Sequence, residues 1–100
     1  MAATNGFFGN LQGPFAANEE LFTKIEEQCN NTVNYITKLG IHYVNSYDLN
    51  LKENQYFVKI NNIDFQIGKT CMLELEDVEI TSIQFMQDVN DRFYIDYQYK

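Results

Sequence analysis

The sequence predicts an α+β fold: an extended N-terminal arm, one long helix, then an antiparallel sheet or small sandwich of five to six short strands. Three observations predict it. The chain opens with an uncharged, glycine- and phenylalanine-containing stretch, continues with an amphipathic stretch of helical period, and changes to period-two alternation from Ile41 onward. At 100 residues there is room for one core. The division is an arm over residues 1–17 and a single α+β domain over residues 18–100.

The arm, MAATNGFFGNLQGPFAA, holds Gly6, Gly9, Gly13, the single proline Pro14, and Phe7, Phe8 and Phe15. Glycine and proline at this density are incompatible with a regular helix or a central strand. Ordering each residue costs about 1–2 kcal/mol of backbone entropy. Burying the three phenylalanines and Leu11 returns roughly 2–3 kcal/mol apiece. On that sum the arm does not order itself on so small a core. A frayed terminus is one reading. Exposed phenylalanine is sticky, however, which favours an arm that docks on a neighbouring subunit.

Asn18 fits an N-cap, Glu19 and Glu20 suit the first turn, Lys38 the last, and Gly40 the C′ position. A helix is therefore expected over about residues 19–39. Phe22, Ile25, Cys29, Thr32, Ile36 and Leu39 follow the spacing of a coiled-coil seam, widened by Leu21 and Val33. Such a stripe suits packing on the sheet or on copies of the same helix. The candidate inter-subunit contacts are thus Phe7, Phe8, Leu11, Phe15, Phe22, Ile25, Cys29, Ile36 and Leu39.

Strands are expected from about residue 41 to residue 99, the first over Ile41 to Tyr47. The hairpin Tyr56–Ile60, Asn61-Asn62, Ile63–Ile67 has a defined register, because asparagine tolerates the positive φ of a two-residue turn. Ile60 then faces Ile63, Lys59 faces Asp64, Val58 faces Phe65 and Tyr56 faces Ile67, and a one-residue slip destroys every match. Gly68 ends that strand, and Cys71, Leu73 and Leu75 alternate with Met72, Glu74 and Glu76 in the next. Val78 to Met86 changes parity midway, which a bulge near Thr81-Ser82 reconciles. Gln87 to Asp91 reads as a turn, and Arg92 to Tyr99 as the last strand, with Phe93, Ile95, Tyr97 and Tyr99 on one face.

No chemistry stands out. His42 is the single histidine, so one chain holds neither a two-histidine metal site nor a second histidine for a relay. Glu74, Glu76, Asp77 and Glu79 are the densest acids, but two of them alternate with leucines as a solvated strand face does. Gly68-Lys69-Thr70 lacks the upstream half of a phosphate loop. Cys29 and Cys71 are read as reduced, small apolar residues, and Asn30-Asn31-Thr32 as an unmodified acceptor. The reading is that the chain is not an enzyme and takes no cofactor or metal.

Fourteen acids against seven bases give a net charge of −7, which argues against a nucleic-acid backbone as partner. No apolar run is long enough to span a membrane, and no signal-like apolar stretch opens the chain.

Between Phe65 and Tyr99 lie Ile67-Gly68-Lys69-Thr70, Leu73-Glu74-Leu75, Ile80-Thr81-Ser82-Ile83 and Ile95-Asp96-Tyr97. This C-terminal third resembles the β-rich endings of small structural proteins of bacteriophage virions, in tail, baseplate or head-fibre components. The resemblance implies a non-enzymatic assembly protein, a homo-oligomer whose partners are copies of itself and other virion proteins. It also implies residence in the virion after synthesis in the host bacterial cytoplasm. The alternative is a small acidic inhibitor that occupies the nucleic-acid-binding site of a host enzyme, steered there by its charge.

Overall fold

The structure is a computed structural model that describes residues 4–12, 16–30, 32–33, 35–43, 56–67, 70–87 and 92–100. Its elements are β1 (Thr4–Gln12), α1 (Leu21–Gln28), β2 (Ile36–Tyr43), β3 (Tyr56–Ile60), β4 (Ile63–Ile67), β5 (Thr70–Glu74), β6 (Ile83–Phe85) and β7 (Arg92–Tyr99). Two antiparallel sheets result, one ordered β1-β7-β2-β5 and one ordered β4-β3-β6. Among the described residues the fold is therefore mostly β, with one short helix, and not the long-helix α+β arrangement that the spacing suggested.

The helix stops early for a local reason. Asn30 takes a positive φ of 59°, a left-handed conformation that asparagine adopts with little cost and that cannot continue a helix. The Thr32 hydroxyl then donates to the Cys29 carbonyl at 2.6 Å, satisfying an acceptor that the helix end leaves open. At the other end Glu20, not Asn18, is the N-cap, and Asn18 itself sits at φ 73° in the preceding turn.

Beyond Thr32 the chain is extended, and Ile36 and Leu39 belong to β2. Their three-residue spacing imitates a helix because β2 carries an irregularity. Ile36 pairs with Tyr99 and Lys38 with Gln98, so Thr37 is the extra residue of a bulge. The bulge brings Ile36 and Leu39 into the same core although an unbroken strand would point them apart. Gly40, expected as a helix cap, lies in mid-strand between Asp96 and Met72.

The arm also folds differently from the expectation. Residues 4–12 form β1, an end strand antiparallel to β7 of the same chain. Phe7, Phe8 and Leu11 occupy register positions opposite Asp96, Ile95 and Phe93, with a shift between Phe8 and Leu11. Two contributions offset the entropy cost: main-chain ladder bonds to β7, and the close approach that glycine permits. A Cβ at Gly6 would overlap the ring of Tyr97, so the missing side chain lets that buried ring lie against β1.

The β3–β4 hairpin has the expected register throughout, from Ile60 opposite Ile63 to Tyr56 opposite Ile67. Asn61 and Asn62 take φ of 51° and 68° at its turn. β7 likewise buries Phe93, Ile95 and Tyr97 on one face. The expected strand over Val78 to Met86 shrinks to β6, Ile83–Phe85. The first expected strand moves to β2, and residues 44–47 lie outside the described residues, as do Phe15, Gly68 and residues 88–91 of the expected turn.

One core joins both sheets. Leu39, Ile41, Phe93, Ile95 and Tyr97 come from the four-stranded sheet, and Val58, Ile60, Ile67, Ile83 and Phe85 from the three-stranded one. Phe85 and Phe93 meet edge to face with ring centroids 5.4 Å apart. Leu21, Phe22 and Ile25 of α1 join the same core, and α1 packs beside β6. Among the described residues no helix is long and apolar enough to cross a membrane.

Candidate functional site

Of the residues proposed as inter-subunit contacts, the five with described side chains lie in or against the chain's own core. Phe22, Ile25, Ile36 and Leu39 are buried in the chain's own core, two on α1 and two on β2, so the coiled-coil seam does not exist. Cys29 follows α1, is half-buried, and lies 2.7 Å from the Tyr97 hydroxyl. Phe7, Phe8 and Leu11 lie on β1 within the sheet. Phe15 is outside the described residues.

Burial, and then the bond to Cys29, push the Tyr97 phenol well above its ordinary value of 10.0. The unfolded chain releases that proton near 10.0 while the folded chain still holds it. Above that pH the unfolded state binds fewer protons, so stability falls as pH rises. The expected result is a decline in unfolding free energy at alkaline pH that is shallower in Tyr97→Phe, measured by denaturant titration across the series.

The outer face of the four-stranded sheet carries polar side chains together with the exposed Met72. His42 stacks on Tyr94 with centroids 4.7 Å apart and planes 15° apart, and its Nε2 lies 3.4 Å from Asp96 Oδ1. Gly40 makes room for this pair, since a Cβ there would overlap Asp96 Oδ1 and crowd His42. Lys38 and Glu74 pair at 3.9 Å on the same face. Exposed pairs of this kind contribute about 0–1 kcal/mol. The stacking on Tyr94 and the contact with Asp96 orient the imidazole on this face. No group of three metal-ligating side chains converges among them either.

A different surface lies where the β3–β4 hairpin meets the segment after β5. Ile60, Ile63 and Phe65 form one wall of a groove of about 450 Å³, and Leu75, Val78 and Ile80 form the other, with Glu74 and Glu76 also lining it. The apolar faces of β3 and β4 start in the core at Val58 and Ile67 and run out to Ile63, which is 60% exposed. Val78 across the groove is 47% exposed.

Asn61 holds the two walls together. Its amide oxygen accepts from the Thr81 backbone N–H at 2.8 Å, the Thr81 hydroxyl at 3.0 Å and the Ser82 N–H at 3.3 Å. Its Nδ2 donates to the Glu79 carbonyl at 3.0 Å, and its backbone N–H donates to the Ser82 carbonyl at 3.1 Å. The parity change near Thr81-Ser82 therefore reflects backbone captured by a side chain, not a bulge in a ladder. Sequence reasoning read Asn61 as a turn residue only. The signal it missed is that Thr81-Ser82, a polar break between Ile80 and Ile83, needs partners for its amides.

Replacing Asn61 separates its two duties. Asn61→Gly keeps the left-handed conformation and loses the clamp, whereas Asn61→Ala loses both. Losses of about 2 kcal/mol for glycine and about 3 kcal/mol for alanine are expected, read from equilibrium unfolding. Equal stability of the glycine variant and the parent would show that the clamp contributes nothing.

Comparisons with protein-family models, with curated proteins and with solved structures find no match to this chain.

Proposed function

We propose that this chain is a non-enzymatic structural and assembly protein, a phage virion component made in the bacterial cytoplasm and joined there to copies of itself and to other virion proteins. The observation that carries the reading is where apolar surface stays uncovered. Among the described residues sixteen apolar side chains are buried in one core, yet Ile63, Val78 and Met72 of the end strand β5 stand 60%, 47% and 51% exposed. A chain that buries so much elsewhere exposes these groups where neighbours cover them. The virion setting rests on the resemblance of residues 65–99 and not on the geometry.

Sedimentation of the purified chain at low and at high salt tests this. An oligomer that persists at high salt is expected, because apolar contacts are not screened. A monomer at every concentration and both salts would overturn self-assembly. The inhibitor reading draws support from one feature, the four exposed carboxylates Glu74, Glu76, Asp77 and Glu79 on a single segment. It requires a monomer or simple dimer that binds basic proteins at low salt and releases them at high salt.

A further inference from the structure

Resting on the assembly reading, we infer that the groove between the β3–β4 hairpin and residues 74–80 receives an apolar segment of a different, basic protein, not a second copy of this chain. The floor and walls are supplied by Ile60, Ile63, Phe65, Leu75, Val78 and Ile80. Its volume falls within the range of built binding sites, about 300–1,000 Å³. Its lining has few of the fixed polar groups that orient a small molecule, and it matches instead the side chains of a docking peptide.

Charge decides the occupant. Glu74 and Glu76 line the groove, and Asp77 and Glu79 follow on the same segment, all four exposed. Lys38 pairs with Glu74 and Lys100 with Asp77, while the chain as a whole carries −7. A twofold pairing of two copies through this surface brings both acidic segments into one interface, and like charges gathered there oppose association. A segment with apolar side chains between lysines or arginines meets both demands, filling the groove while its cations reach the glutamates. Self-association of the chain then belongs to another surface.

The test uses the full-length, isotope-labelled chain and two synthetic peptides, one alternating lysine with leucine and its counterpart alternating glutamate with leucine. The lysine peptide is expected to shift the resonances of Ile63, Val78 and Ile80 and to bind at least about tenfold more tightly than the glutamate peptide. Glu74→Gln with Glu76→Gln should remove most of that preference, and Ile63→Asp, at an exposed position, should abolish binding while the unshifted resonances of Val58 and Phe65 show that the hairpin keeps its register. Equal binding of both peptides, shifts centred away from the groove, or no binding would each overturn the inference. Sedimentation of Ile63→Asp separates this from the assembly reading. An oligomer that keeps its mass supports a groove reserved for another protein. An oligomer that falls apart shows the groove to be a self-interface, which overturns the inference and leaves assembly standing.

Discussion

Phe85→Ala is expected to destabilise the protein by about 3–5 kcal/mol, much of the total stability of a domain this size. Phe85 is almost wholly buried, on a strand of only three residues. Its ring meets Phe93 of the opposite sheet, and its backbone bonds to the chain before α1, with its N–H on the Glu19 carbonyl and its carbonyl on the Asn18 N–H. One residue thus couples both sheets to the helix. Truncation leaves a cavity lined by groups from three elements that cannot all collapse into it. Equilibrium denaturation by circular dichroism gives the loss directly. A change below about 1 kcal/mol would mean that the two sheets do not share a core.

The second large effect is expected at Gly6→Ala, a change that on an exposed strand would be neutral or better. Here the new Cβ would meet the Tyr97 ring, which is buried and bonded to Cys29 and so has little freedom to yield. Overpacking of this kind costs about 1–3 kcal/mol. The energy lost is the docking of β1, so the variant should expose amides of residues 4–12 and of β7 to faster hydrogen exchange while the β3–β4 hairpin keeps its protection. A double-mutant cycle with Tyr97→Leu isolates the contact. The two losses should fall short of adding, because Tyr97→Leu removes the ring that the new Cβ would meet. Full additivity would place the strain elsewhere.

The β3–β4 hairpin was legible in the sequence to the residue. Its register depends on cross-strand pairs three to eleven positions apart and on a turn whose left-handed residues are both asparagine, all local information. The buried face of β7 was legible for the same reason. The helix length was misread because Ile36 and Leu39 carry a helical spacing that in fact reports a bulge at Thr37. The local warning was there in Asn30-Asn31-Thr32, followed by β-branched Val33, Ile36 and Thr37, which prefer extended backbone.

What the sequence by itself determined is therefore whatever neighbours along the chain can decide: the hairpin, the alternation of β7, the acidic balance, and the lack of paired histidines. Tertiary structure alone decided three other things. It placed β1 against β7, a pairing of residues 80 to 95 positions apart that depends on Gly6 lying under Tyr97. It brought β2 between β7 and β5, which turned a supposed helix face into core. It also set Ile63 across from Val78, with Asn61 clamping the walls, so that a groove exists at all. Local spacing fixes only the face a side chain takes on its own element. Which elements meet depends on burial summed over the whole core, and no stretch of sequence carries that sum.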